Sequence, residues 1–182
     1  MSTWLWVIIV VAVIVIAIGI LSSVIRRRRT EGLRIDFGPE YERTVDRSGD
    51  QAAAEADLRD RRRRREELEL RPLEPIVRQG YLDAWQGTQA EFVDDPASAV
   101  VDADHLIQDV MRTRGYPVED FDDRASLVSV DHPVVVERYR RAHAIIVGEA
   151  DDAGNTENLR LAMQDYRALF TELVEDSAPA SR

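Results

Sequence analysis

Apolar and polar residues are arranged in three different ways along this chain of 182 residues, and the patterns predict three regions. From residue 7 to residue 21 every residue is apolar or glycine. Residues 51–70 are mostly charged, and beyond Pro72 apolar residues recur at spacings of three and four. That spacing is the period of an amphipathic helix, and no segment after Thr30 shows the alternation of a half-buried strand. The sequence therefore predicts an all-α protein.

The first region, residues 1–29, is predicted to contain a transmembrane helix. Residues 4–25 are uncharged, and as a helix they would be about 33 Å long, against a bilayer hydrocarbon core of about 30 Å. Aromatic and basic residues flank the segment at its two ends: Trp4, Trp6, Arg26, Arg27, Arg28 and Arg29. Arginines favour the cytoplasmic side, so the prediction places the N-terminus outside and the later domain in the cytoplasm, with the lipid bilayer as a partner.

A cleaved signal peptide is the main alternative for this segment. Ala17-Ile18-Gly19 has the small residues of a cleavage site. However, no Arg or Lys precedes the apolar run, and the basic residues follow it, which is the reverse of the usual signal-peptide order.

The second region, residues 30–71, is predicted to be a linker followed by a charged spacer helix. A polar linker would cover residues 30–38, a short helix would follow from Pro39, and a longer helix would occupy residues 51–70. Oppositely charged residues in that helix are four positions apart: Glu55 and Arg59, Asp57 and Arg61, Asp60 and Arg64, Arg62 and Glu66, Arg63 and Glu67, Arg65 and Glu69. Because acids and arginines balance, the pattern favours a solvated helix over a surface for nucleic acid.

The third region, residues 72–176, is predicted to be a compact bundle of about five helices, followed by a flexible tail at 177–182. Proline, glycine and Asx residues divide it into helices at about 75–93, 96–114, 118–129 and 133–146, with a last helix from 155 or 156. Each segment has an apolar stripe suited to a shared core.

The net charge of the chain limits the kinds of partner that it can bind. The chain has a formal net charge of −10, and residues 72–182 contain 10 Arg against 22 acidic residues. Such a region would be repelled by lipid headgroups and by nucleic acid phosphates. There are no cysteines, which excludes disulfides, thiolate metal sites and cysteine nucleophiles.

Three histidines are the only candidates for acid–base chemistry near neutral pH: His105, His132 and His143. His105 shares a predicted helix face with Asp102 and Asp109, so a weak divalent-metal site is conceivable, although a surface histidine among solvated acids is the commoner arrangement. His132 is expected in a turn and His143 near the core. No nucleophile elbow, phosphate-binding glycine loop or HExxH motif is present. The sequence therefore predicts no catalytic residue, cofactor or metal, and it argues against an enzyme.

Aromatic residues form a second kind of candidate, because they could line a ligand pocket between helices. They are Tyr81, Trp85, Phe92, Phe121, Tyr139, Tyr166 and Phe170. Core packing is their default role, since they fall on the same stripes as Val, Ile and Leu.

Several short motifs resemble those of an uncharacterised actinobacterial family of single-pass membrane proteins with a helical domain. They are Phe37-Gly38-Pro39-Glu40-Tyr41, Arg71-Pro72-Leu73, Phe92-Val93-Asp94-Asp95-Pro96, Arg114-Gly115-Tyr116-Pro117 and Asp131-His132-Pro133. The likeness runs from about residue 34 to residue 173 and implies an anchor in the bacterial plasma membrane and a helical domain, but no activity.

These observations lead to one functional prediction and two alternatives. The leading prediction is a membrane-anchored cytoplasmic interaction or adaptor module that binds a protein partner. The alternatives are a membrane-tethered enzyme or small-ligand-binding domain, and a structural protein of the cell envelope.

Overall fold

The computed structural model describes residues 2–148 and 155–175, which form α-helices and contain no β-strand. The predicted all-α class is therefore confirmed for this part of the chain. In order the helices are α1 (Ser2–Phe37), α2 (Pro39–Ser48), α3 (Gln51–Glu66), α4 (Pro75–Glu91), α5 (Pro96–Arg114), α6 (Phe121–Asp131), α7 (Val136–Ile146) and α8 (Thr156–Glu175). Most of the predicted loop at 148–154 and the tail at 177–182 lie outside the described residues.

The prediction of a membrane span is corrected by this structure. Among the residues that it describes, no helix is both long enough and apolar enough to cross a membrane. The flanking role of Trp4 and of Arg27–Arg29 stays a prediction. The transmembrane span at residues 4–25 and the plasma-membrane localisation are wrong for the described chain. The side chains of Trp6 and Arg26 lie outside it.

The chain divides into two compact units, Met1–Glu55 and Ala56–Arg182, so the boundary falls within α3. In the first unit, the predicted linker at residues 30–38 is mostly helical, because α1 continues to Phe37. Gly38, at φ 47°, separates α1 from α2, and Pro39 begins α2 as expected. Leu33 and Phe37 are buried near the end of α1, which explains why this stretch is ordered helix.

The charged helix differs from the prediction in length and in environment. The helix ends at Glu66, and residues 67–74 after it form an irregular segment. Leu58 is fully buried, and the Arg61 side chain is only 2 % exposed. A fully solvated helix was expected from the balanced charges, but that expectation did not allow for acceptors supplied by other helices.

The second unit has one apolar core, built mainly where α5 and α7 pack against α8. The residues of these helices that are fully buried include Ala99, Val100, Ala103, Ile107, Val110, Met111, Tyr139, Ala142, Ala162, Tyr166, Leu169 and Leu173. Their spacing of three and four is the pattern that the sequence shows, because one stripe of each helix faces the same core. Leu68, Leu70 and Leu73 of the irregular segment pack on this core from outside.

The helix ends follow from local chemistry that the sequence displays. Asp95 caps α5 by accepting a hydrogen bond from the Ser98 backbone N–H, and Pro96 occupies the first turn. Asp120 caps α6 in the same way through the Asp123 N–H. These residues start their helices close to the predicted positions.

Gly115 ends α5 and also lies against the irregular segment. Its φ is +100°, and the Gly115 and Tyr116 N–H groups donate to carbonyl oxygens of the last turn of α5. A Cβ at this position would lie 2.9 Å from the Glu69 carbonyl oxygen. The neighbouring Arg71 N–H donates to the Arg114 carbonyl at 2.9 Å, which keeps the two backbones together.

We expect Gly115→Ala to lower the free energy of unfolding by about 2 kcal/mol, because it combines an unfavourable positive φ with a backbone contact. Gly148→Ala is the matched control, since Gly148 also has a positive φ, +76°, but an added Cβ there meets nothing within 4 Å. Urea unfolding of both variants measures the difference. Equal losses in the two variants would mean that the contact with Glu69 contributes nothing.

Candidate functional site

The structure does not bring the three candidate histidines together as one site. His105 lies exposed on α5, and His132 is buried at the end of α6, where its Nδ1 lies 3.4 Å from the Glu172 carboxylate. His143 lies on α7 and stacks on Phe121, with ring centroids 3.6 Å apart. Each histidine therefore has a surface or packing environment of its own.

No group of three or more His, Asp or Glu side chains in the described ranges is arranged to hold a metal ion. This includes His105 with Asp102 and Asp109, the set that shares a helix face in the sequence. Asp109 instead pairs with Arg112 one turn further along α5.

The aromatic residues divide into two groups within the second unit. Trp85 of α4 stacks on Phe170 of α8, with centroids 4.6 Å apart. Phe121 contacts Tyr139 at 5.0 Å, and Tyr139 meets Tyr166 edge to face at 6.1 Å. The first group, Trp85 and Phe170, holds α4 against the core. The second group, Phe121, Tyr139 and Tyr166, lies around polar atoms.

Those polar atoms form the strongest candidate site, which we call the α5–α8 polar cluster: Asp104, Arg124, Tyr139 and Tyr166. Each residue is at least nine-tenths buried, and the four come from α5, α6, α7 and α8 in turn. Asp104 accepts from Gln108 through Oδ2 at 2.6 Å, and Arg124 donates through one terminal nitrogen to the Val118 carbonyl at 2.7 Å. The remaining polar groups face one another: the Tyr166 hydroxyl interacts with the Asp104 carboxylate, and the Tyr139 hydroxyl interacts with the Arg124 guanidinium.

A buried polar atom without a partner costs about 1–3 kcal/mol. Pairing of Tyr166 with Asp104 and of Tyr139 with Arg124 avoids this cost within the cluster. Sequence reasoning missed Asp104 and Arg124 as site residues. Asp104 carried a signal, because it lies on the apolar stripe of α5 between Val100 and Ile107, where a charged residue is out of place.

Burial perturbs the ionisation of the tyrosines in this region. It raises the pKa of Tyr166 and of Tyr139 far above the ordinary 10.0, and the nearby Asp104 carboxylate adds to both shifts. Burial and the Asp131 carboxylate raise the pKa of Tyr116 in the same direction. All three phenols therefore remain neutral hydrogen-bond donors at neutral pH.

A second polar arrangement holds the end of α3 to α6. Arg61 donates to Asp57 at 2.6 Å and to the Ser129 hydroxyl at 3.4 Å. One turn later Arg65 donates to Asp131, which also accepts from the Tyr116 hydroxyl at 2.7 Å. This part of the arginine run is therefore used in internal contacts, which explains a cluster that would otherwise suggest binding to phosphates.

The Glu55 carboxylate is a third buried polar feature and lies in the first unit. It accepts hydrogen bonds from Thr30, Tyr41 and Gln51 at 2.7, 3.1 and 2.9 Å. Because its acceptors are satisfied from within the unit, we assign it a structural role.

Helix α4 carries exposed apolar residues on its outer face. Trp85 is its only buried residue, and Tyr81 ties it to α5 by a hydrogen bond to the Asp109 carbonyl at 3.1 Å. Ile76 is 81 % exposed and Val77 is 38 % exposed. Position 76 is followed at helical spacing by Gly80, Asp83 and Gly87, so these residues share the outer face of the helix.

No protein-family model, no curated protein and no solved structure matches this chain. The resemblance to the actinobacterial family stays a prediction.

We expect Arg61→Met to lower the free energy of unfolding by about 1–3 kcal/mol, because it leaves the buried Ser129 hydroxyl without this donor and breaks the ion pair with Asp57. The matched control is Arg63→Met, whose parent side chain is 69 % exposed and pairs with Asp60 on the surface. The control should cost less than about 1 kcal/mol. Equal effects in chemical unfolding would contradict the assignment of Arg61 as an internal anchor.

Alkaline pH should unfold the protein through its buried tyrosines. Their pKa values are raised in the folded state, so their contribution to stability is complete below the ordinary value of 10.0 and is lost as the pH rises above it. Each phenol should reduce the free energy of unfolding by about 1.4 kcal/mol per pH unit above 10.

The chain contains no lysine, so tyrosines dominate the titration in this range. Urea unfolding between about pH 8 and pH 11.5 measures the slope, which Tyr116→Phe should reduce. A stability that stays constant to pH 11.5 would show that these phenols ionise freely in the folded protein.

Proposed function

We propose that this chain is a protein-interaction module and that the outer face of α4 recognises a basic segment of a partner protein. The observation that carries the proposal is the exposure of this face: α4 buries a single residue, Trp85, and turns Ile76 to the solvent. A helix with one apolar residue fully exposed beside small residues offers a shallow surface on which a second helix can pack.

Two glycines on this face support the proposal. Gly80 and Gly87 lie inside α4, where each costs about 1 kcal/mol relative to alanine. A Cβ added at either position would meet nothing within 4 Å, so no contact inside the described chain requires a glycine. Absence of a side chain instead permits a close approach of another backbone from outside.

Charge indicates what kind of segment would bind. Residues Glu74, Asp83, Glu91 and Asp94 on and beside α4 are exposed and form no ion pair within the described chain. By contrast, Asp57, Asp60, Asp123, Asp131 and Asp165 elsewhere in the unit are paired with arginines. The unpaired acids surround an apolar face, which complements a helix that carries both apolar and basic residues.

Site-specific photo-crosslinking in the native cells tests this proposal. A photoreactive residue at position 76 should capture a protein whose crosslinked peptide, sequenced by mass spectrometry, is rich in Lys and Arg. Position 134 is the matched control, because Val134 is 69 % exposed but lies outside α4. Charge reversal with Asp83→Arg and Glu91→Arg should reduce the yield at position 76. Equal capture from both positions, or an acidic peptide, would contradict the proposal.

Glycine substitutions separate recognition from stability. We expect Gly80→Ala and Gly87→Ala each to raise the free energy of unfolding by about 0.5–1 kcal/mol, because alanine favours the helix. Both variants should nevertheless reduce the crosslinking yield from position 76, since the added methyl group occupies space that the partner would need. A stabilised variant that crosslinks as well as the parent chain would show that the glycines have no part in binding.

The alternative of a small-ligand-binding domain stays a prediction. Activity as an enzyme and a structural role in the cell envelope stay predictions without an observation of their own.

A further inference from the structure

Helix α1 contains a segment with the chemistry that the outer face of α4 is proposed to recognise. Residues 14–30 contain four arginines and no acidic residue. Ile14, Ile18 and Leu21 follow one another at spacings of four and three, so they share one side of the helix, and they are 51–61 % exposed. Arg27–Arg29 are also exposed and form no ion pair within the described chain. The segment is therefore an exposed apolar stripe followed by unpaired positive charge.

The arginine run of α3 does not have this chemistry. Acidic residues flank it on both sides. Arg61 donates to the Ser129 hydroxyl, and Arg65 donates to the Asp131 carboxylate, so both side chains are used inside the second unit. The positive charge of α1 is available to a partner, whereas much of the positive charge of α3 is not.

The segment of α1 and the face of α4 also carry their groups in the same order and at the same separation. In α1, Ile14 precedes Arg29 by 15 positions, and in α4, Ile76 precedes Glu91 by 15 positions. Each separation corresponds to about 22 Å of helix. When two such helices pack in parallel, their apolar residues meet at one end and their opposite charges meet at the other.

We propose that α1 of one copy of this chain packs in parallel on the outer face of α4 of a second copy. The inference rests on the proposed recognition of a basic segment by α4, and it identifies that segment. Arg27–Arg29 pair with Asp83 and Glu91 of the second copy, and Ile14 lies against Ile76. Because the two surfaces differ, the contact is heterologous, and each copy can offer its own α1 to one neighbour and its own α4 to another.

Charge exchange between two variants of the full chain tests this contact. One variant carries Arg27→Glu, Arg28→Glu and Arg29→Glu, and the other carries Asp83→Arg and Glu91→Arg. Each variant alone should lose self-association in analytical ultracentrifugation, because like charges then face each other in the contact. An equal mixture of the two should associate again, since every contact between the two variants joins opposite charges.

The double variant Asp102→Arg with Asp122→Arg is the matched control for net charge. It makes the same change of charge as the α4 variant, but on exposed acids of α5 and α6. It should associate as the parent chain does. A monomeric parent chain, a control that dissociates equally, or a mixture that stays dissociated would overturn the proposal. Circular dichroism verifies that each variant keeps its helices.

Photo-crosslinking from position 76 distinguishes this inference from the proposed function. In a mixture of isotope-labelled and unlabelled chains, the crosslink should join position 76 of one form to residues 14–30 of the other. A crosslink that forms only within one copy would overturn the inference. In native cells, capture of a basic segment of a different protein would also overturn it, but would leave the proposed function standing. Capture of no basic segment would contradict both.

Discussion

Buried guanidinium groups set the constraint on which the second unit depends. An arginine side chain stays charged inside a protein, so a buried one must find acceptors wherever the chain places it. Arg61 reaches the Ser129 hydroxyl of α6, and Arg114 donates to the Leu173 carbonyl near the end of α8 at 2.9 Å. Arg124 donates to the Val118 carbonyl that precedes its own helix. Each of these hydrogen bonds holds two chain segments in one position relative to each other, which apolar packing alone would not do.

The pattern of apolar residues predicted much of the fold, because it reflects the local tendency of each segment to form a helix. The starts of α4 and α5 at Pro75 and Pro96, and the end of α5 before Gly115, were all expected from proline, caps and helical spacing. The same method failed for α3, where the Arg61 side chain is buried against acceptors from α6. Sequence spacing detects partners three or four residues away, but Ser129 is 68 positions from Arg61. The predicted membrane span is corrected by a finding on the described residues, which form no helix both long enough and apolar enough to cross a membrane.

The candidate site was predictable only in part for the same reason. The aromatic stripe of the sequence contains Phe121, Tyr139 and Tyr166, and the structure does bring these three together. Nothing in the spacing showed that Asp104 and Arg124 would join them, since the two residues are on different helices. The histidines stood out in the sequence because of their chemistry, yet they lie apart in the fold. A polar residue on an apolar stripe was the better signal.

The stacking of Trp85 on Phe170 gives α4 a distinct energetic status. α5 and α8 bury many side chains each, whereas α4 buries only Trp85 fully and packs Tyr81 and Leu82 on the core in part. Segments with few buried contacts open at a free-energy cost well below that of global unfolding. Because α4 buries fewer side chains than α5 and α8, local opening of α4 should cost less free energy than unfolding of the core, and it would uncover the ring of Phe170.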